Sequence, residues 1–155
     1  MVTIPPDART AALFPEQEYA AEGRWGCGPW HLVAADIDPL LRETIDLLNT
    51  SGWTWTLTGC SWHREETTAR PIPDPYIVVA LRTENVGRFC ALVLACQQES
   101  AAGLDTAFET SVYRDRLPES WTALSVAPRV RSVEERDTAL TLLSHVVGRT
   151  HVSAL

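Results

Sequence analysis

From residue 53 to residue 58 a large apolar side chain alternates with threonine, Trp53-Thr54-Trp55-Thr56-Leu57-Thr58, and a helix has no use for that pattern. Period-two alternation of aromatic, aliphatic and β-branched residues belongs to an extended strand packed on a core. The following residues, Gly59-Cys60-Ser61-Trp62-His63, predict that the strand runs out into a tight turn, which chelation by Cys60 and His63 would need at Ser61-Trp62 and which Gly59 makes easier. A thiol, an indole and an imidazole therefore follow one another closely. A second cluster of the same kind, Gly26-Cys27-Gly28-Pro29-Trp30-His31, lies upstream in another glycine-rich loop.

The segments around this strand set the fold class. Residues 31–35, His31-Leu32-Val33-Ala34-Ala35, are short and apolar enough for a buried first strand. Asp38 is placed to N-cap a helix with Pro39 at its first position, and Leu41, Ile45 and Leu48, with Leu40, Thr44 and Leu47, form an apolar stripe at helical spacing. Asn49-Thr50-Ser51-Gly52 closes that helix. After a polar, proline-broken link, Tyr76-Ile77-Val78-Val79-Ala80-Leu81 reads as a central strand, the antiparallel neighbour of the tryptophan strand. A helix starting near Thr83 presents Val86, Phe89, Cys90, Val93 and Cys96 and stops at Gly103. Residues 106–113 and 121–127 alternate as two further strands. The last helix opens with a capping box, Ser132 and Glu135, carries Val133, Leu140, Leu143 and Val147 inward, and stops at Gly148.

The order β-α-β-β-α-β, followed by one more strand and a helix, predicts an α+β chain. The expected form is a two-layer split βαβ (ferredoxin-like) sandwich with helices on one face of a mainly antiparallel sheet. Residues 1–24, rich in Ala, Glu and Pro, are expected to be an arm laid over the domain or exchanged in a homodimer, and residues 25–155 a single domain. At 155 residues the chain can bury a conventional core.

Charge narrows the partners. Net charge is −7, with thirteen arginines and no lysine. The acidic balance argues against a nucleic-acid backbone partner, and the missing lysine excludes Schiff-base chemistry on a lysine amine. No apolar run reaches the length of a membrane span, and the first residues lack the pattern of a signal peptide, so the expected location is the cytoplasm. In that reducing compartment the cysteines are expected as buried thiols, metal ligands or a nucleophile. Cys90 and Cys96 lie about 120° apart on one helix, too far round the axis to bridge, and fit a core face.

Two chemical readings stay open at the loops. Cys27, His31, Cys60 and His63 make the ligand set of a tetrahedral zinc site, with spacings that chelate pairwise. Against it, a first strand lying parallel to the tryptophan strand would set residues 31 and 60 at opposite ends of the pair, roughly 15 Å apart. The site needs the first strand to be absent from that sheet or paired differently. The other reading keeps the turn alone: Cys60 as nucleophile or redox thiol and His63 as its base. Trp30, Trp62 and Tyr76 then line a pocket for a flat or apolar ligand. Both lead to a small protein that binds an aromatic or apolar molecule, as a small biosynthetic or modifying enzyme. The competing classes are an interaction module, an immunity or regulatory protein covering a basic partner with its acidic surface, and a zinc-stabilised structural protein.

Residues 38–81 also carry a resemblance. Leu48-Asn49, Gly52, Thr56, Gly59-Cys60-Ser61-Trp62-His63 and Pro75-Tyr76-Ile77 resemble a pattern of small uncharacterised bacterial and phage α+β proteins. In these a helix ending Leu-Asn precedes Ser-Cys-x-Gly-His and then Pro-Tyr-Ile. More remotely the stretch is similar to the TYW3 family of tRNA-modifying methyltransferases, whose comparable strand ends Ser-Ser-Cys-Ser-Gly-Arg. Gly59 stands in place of the serine before the cysteine, and Trp62-His63 in place of Gly-Arg.

Overall fold

The computed structural model describes residues 3–4, 32–33, 38–62, 72–113 and 120–152. In chain order these form β1 (Thr3–Ile4), β2 (Leu32–Val33), α1 (Arg42–Thr50), β3 (Thr54–Cys60), β4 (Tyr76–Arg82), α2 (Val86–Ala101), β5 (Phe108–Val112), β6 (Trp121–Pro128) and α3 (Val133–Val152). A single 3-10 turn, Thr83–Asn85, leads into α2. The architecture is α+β, with a four-stranded sheet in the order β3-β4-β6-β5 whose pairings are all antiparallel.

The ferredoxin-like arrangement expected from the order of elements is not borne out by the strand pairing. Leu32–Val33 does not lie parallel to the tryptophan strand; it pairs antiparallel with Thr3–Ile4 in a separate two-stranded sheet. The crossover is found later in the chain. β4 and β5 are both antiparallel to β6, which lies between them, so α2 connects two strands that point the same way.

As far as Leu57, β3 is buried on both sides. Trp53, Trp55 and Leu57 are 6–7% exposed, and Thr54 and Thr56 are fully buried. Thr54 affords this because its hydroxyl donates to the Leu48 carbonyl at the end of α1, which also marks the face of the sheet that the helices cover. Val79, Leu81, Leu124 and Val126 share that face by register, and the core lies between them and Ile45, Leu48, Phe89, Leu92, Leu140 and Leu143 of the helices. On the other face Trp55 meets Trp121 edge-on at 5.2 Å, and the Arg82 guanidinium sits 5.0 Å from the Trp121 ring centroid.

Local signals explain most helix ends. Asp38 accepts the Leu40 amide through Oδ1 and the Leu41 amide through its carbonyl, so it caps a turn that feeds α1 one turn later than expected. Gly52, at φ 77°, turns the chain from α1 into β3. On α2 the buried residues are Phe89, Leu92, Val93, Cys96 and Ser100. Cys90, one position from Phe89 and so about 100° away round the axis, is exposed rather than on the core face. Ser132 caps α3 through the Glu135 amide, but the Glu135 carboxylate accepts the Arg131 amide, one residue before the expected partner. Gly148 does not stop α3, which runs on to Val152. A Cβ there would meet Leu47 of α1 at an ordinary 3.6 Å, so packing between the helices overrides the weak helix propensity of glycine.

Candidate functional site

Cys60 reaches its position through a β-bulge. Thr56 stands opposite Val79 but Thr58 stands opposite Val78, so Leu57 is the extra residue and the alternation shifts by one. Without that shift Cys60 would share the helix-covered face with Thr54 and Thr56. With it, Cys60 lies opposite Tyr76, on the face of Trp55, and Gly59 takes the helix side. There a Cβ on Gly59 would sit 3.1 Å from both the Leu41 side chain and the Tyr76 carbonyl, so the absence of a side chain permits the close approach. Gly59 does not make the turn; it belongs to β3.

The turn is made by Trp62, whose φ is 60°. A left-handed conformation is unusual for a bulky non-glycine residue and costs about 1–2 kcal/mol. Three sets of contacts hold it. Ser61, fully buried, donates its amide and its hydroxyl to Asp38 Oδ2 at 2.7 and 2.6 Å. The Trp62 amide donates to Cys60 Sγ at 3.3 Å, which fixes the thiol over the turn. The Trp62 indole Nε1 donates to the Asp74 carbonyl at 2.9 Å, and its ring lies 6.1 Å from the Tyr76 ring, tilted by 52°.

Asp74 secures the far side. Its Oδ1 accepts the Val130 amide at 2.8 Å, joining the segment before β4 to the one before α3. Arg129 Nε lies 3.0 Å from Glu109 and 3.8 Å from Asp74 Oδ2. The hydrogen bond and charge of Glu109, with Asp74 adding less, raise the guanidinium above its ordinary value.

Of the residues expected at a site, Cys60, Trp62 and Tyr76 are brought together: Cys60 is half-buried with a free thiol, and both aromatic rings are half-buried beside it. His63, Cys27, Trp30 and His31 lie outside the described residues, as does the expected arm at 1–24 apart from β1. Among the described residues no group of three or more His, Cys, Asp and Glu is placed to hold a metal ion. Three polar residues hold the turn: Ser61 belongs to it by its place in the sequence, whereas Asp38 is legible only as a helix cap and Asp74 not by its residue type. The one available signal was Pro73-Asp74-Pro75, where flanking prolines stiffen the backbone that receives the indole.

Elsewhere, burial first and Glu99 second push the Cys96 thiol up to about 12, which keeps it neutral and unreactive. Among the described residues no helix is long and apolar enough to cross a membrane. Compared with protein-family models, with curated proteins and with solved structures, the chain matches none.

Proposed function

We propose that the protein binds a small aromatic or apolar molecule at the 60–62 turn, against the rings of Trp62 and Tyr76. Cys60 supplies the reactive thiol and His63 its base, as in a small modifying enzyme. The observation that carries this reading is the left-handed backbone of Trp62 beside a free thiol, held by Asp38, Ser61 and Asp74. Backbone strain of this kind persists only where the surroundings over-determine it, and such residues cluster at ligand sites. The bulge that brings Cys60 to the Tyr76 face supports the same reading, since bulges re-aim side chains next to active sites.

Tryptophan fluorescence titrated with a panel of indole- and phenol-sized molecules tests the binding. Saturable quenching is expected in the natural protein and not in Trp62→Gly. For the chemistry, the rate of Cys60 alkylation by iodoacetamide is followed against pH, with the peptide identified by mass. His63→Ala is expected to move that profile to higher pH. No saturable ligand in the panel, together with identical alkylation profiles, would remove the proposal.

The zinc reading is kept as a second one because of a single observation: β2 pairs with β1, so the geometric objection drawn from a parallel β2–β3 pair does not apply. On this reading Cys27, His31, Cys60 and His63 hold one zinc ion. It expects stoichiometric zinc in the purified protein and its loss in Cys60→Ser; a zinc-free purified protein that gains no stability on adding zinc sinks it. As for the scaffold, we read the sheet as a rearranged ferredoxin-like sandwich. β4-α2-β5 with β6 inserted is its split βαβ unit, and β3 fills the edge beside β4 from the N-terminal side.

A further inference from the structure

β5 lies at an edge of the sheet, paired with β6 on one side only. The Tyr113 amide donates to the Ala123 carbonyl and the Arg129 amide to the Ala107 carbonyl. In an antiparallel ladder this turns the backbone groups of residues 107, 109, 111 and 113 toward β6 and those of 106, 108, 110 and 112 outward. Side chains of α2 close the first part of the outer edge. Gln97 accepts the Phe108 amide and Ser100 the Thr106 amide, while both donate to the Thr106 carbonyl. Beyond Phe108 that cover stops. Thr110 and Val112 are exposed, and among the described residues nothing pairs with their outward N–H and C=O groups.

An open edge is a template for another strand, and chains guard it with a charge, a proline or a bulge. Thr110-Ser111-Val112 carries none of these, and its pairing with β6 runs in unbroken register. Of the four large apolar side chains exposed among the described residues, Val112 (71%) and Tyr113 (44%) lie here. The register selects the occupant. A second β5 laid antiparallel about a two-fold axis through Ser111 sets Thr110 opposite the partner's Val112, and Val112 opposite the partner's Thr110. Every outward group of these two residues then finds a donor or acceptor, and Gln97 keeps its bond to Phe108. An axis through Thr110 would instead pair Val112 with the partner's Phe108, whose amide Gln97 already holds. The β-branched side chains of Thr110 and Val112 meet across the seam, a favourable cross-strand pair. Charge permits the approach, because Glu109 and the partner's Glu109 stand four residues apart along the strands, roughly 13 Å, beyond the screening length of about 8 Å. Arg129 Nε, 3.0 Å from Glu109, offsets that carboxylate further. Each copy brings the same open edge, so one pairing closes both, which a foreign strand would do only for one. We propose that two copies of this chain pair through β5 about a two-fold axis at Ser111, joining their sheets into one.

The paired edge is short, so the interface falls below the roughly 1,200 Å² of standard complexes and the dimer is weak. Sedimentation velocity of the full chain from micromolar to millimolar concentration is expected to show a monomer giving way to a dimer and to nothing larger, since the pairing closes on itself. Across the same series, hydrogen exchange is expected to slow several-fold at the outward amides of 110 and 112 and to stay unchanged at 109 and 111, which are bonded to β6. Thr110→Pro removes an outward N–H without touching the ladder to β6. Val112→Glu, at an exposed position, puts a carboxylate on the seam of an acidic chain. Each is expected to weaken the dimer at least tenfold, Val112→Glu at unchanged melting temperature, and Val112→Glu decides alone if the proline variant does not fold. A chain monomeric at every concentration overturns the proposal and leaves the edge to a foreign strand. A dimer that Val112→Glu leaves intact, exchange that slows elsewhere but not at 110 and 112, or a mass that grows past two copies also overturns it. None of these outcomes bears on the reading of Cys60 and Trp62.

Discussion

The Ser61 hydroxyl and amide converge on one oxygen of Asp38, at 2.6 and 2.7 Å, while the other oxygen of the same carboxylate takes the Leu40 amide. A single side chain thereby ties the end of β3 to the entry of α1. Ser61→Ala removes the hydroxyl from a fully buried position and leaves the carboxylate with one fewer donor. Hydrogen bonds to charged groups are worth about 1.5–3 kcal/mol, so a loss of that order is expected in urea unfolding. A loss below about 0.5 kcal/mol, the range of ordinary surface substitutions, would show that the tie contributes little.

Trp62 allows the backbone strain to be measured separately from the indole contacts. Trp62→Ala and Trp62→Gly both delete the ring and its bond to the Asp74 carbonyl, but only glycine accepts a φ of 60° freely. Trp62→Gly is therefore expected to be the more stable variant. The margin is about 1 kcal/mol, somewhat reduced by the greater freedom of glycine in the unfolded chain. Equal melting temperatures for the two would mean that the turn relaxes once the indole is gone.

Gly59 is explained by space and not by its φ. Adding a methyl group there brings it within 3.1 Å of both the Leu41 Cδ1 atom and the Tyr76 carbonyl oxygen. The leucine can give way, but the carbonyl belongs to the paired strand and cannot move without disturbing the ladder. Gly59→Ala is expected to destabilise by about 1–3 kcal/mol, the usual cost of overpacking, and Gly59→Val by more. Denaturant midpoints at constant slope check this, and a neutral Gly59→Ala would contradict the packing.

What could be read in the sequence was local. The helix from Arg42 to Thr50, its exit at Ser51-Gly52, the apolar run of β4 and the Ser132 cap each depend on neighbours within one turn or one strand. What could not be read depends on partners far away in the chain. The bulge at Leu57 depends on how β3 pairs with β4, and strict alternation alone would put Cys60 on the helix-covered face. The pairing of Leu32–Val33 with Thr3–Ile4 gives no periodic signal at two residues per strand. Helix phase separates Cys90 from Phe89 by one position, and Leu92, which takes the core place, has the same apolar character as its exposed neighbour Leu94. At the site, Cys60, Trp62 and Tyr76 stand out by residue type and the turn falls at Ser61-Trp62 as expected, whereas its left-handed geometry at Trp62 is not legible because tryptophan carries no preference for it.

The cysteines supply the last prediction. At neutral pH Cys90, exposed on α2, and Cys60, half-buried at the turn, are expected to react with a soluble thiol reagent, and Cys96 only after unfolding. The pH dependence has a definite sign. Burial pushes the folded Cys96 thiol up to about 12 from an ordinary 9.0, so below pH 9 both states hold the proton and the thiol adds no slope. Above it the unfolded chain releases the proton and the folded chain keeps it, so stability is lost as pH rises toward 12, by up to about 1.4 kcal/mol per pH unit. Cys96→Ala lacks that loss. It is expected to be less stable at pH 7, because a fully buried side chain is trimmed, but to show a shallower decline between pH 9 and 11 in urea unfolding. Parallel declines for the two proteins, with Cys96 alkylated as fast as Cys90, would show that the thiol is not sealed in the core.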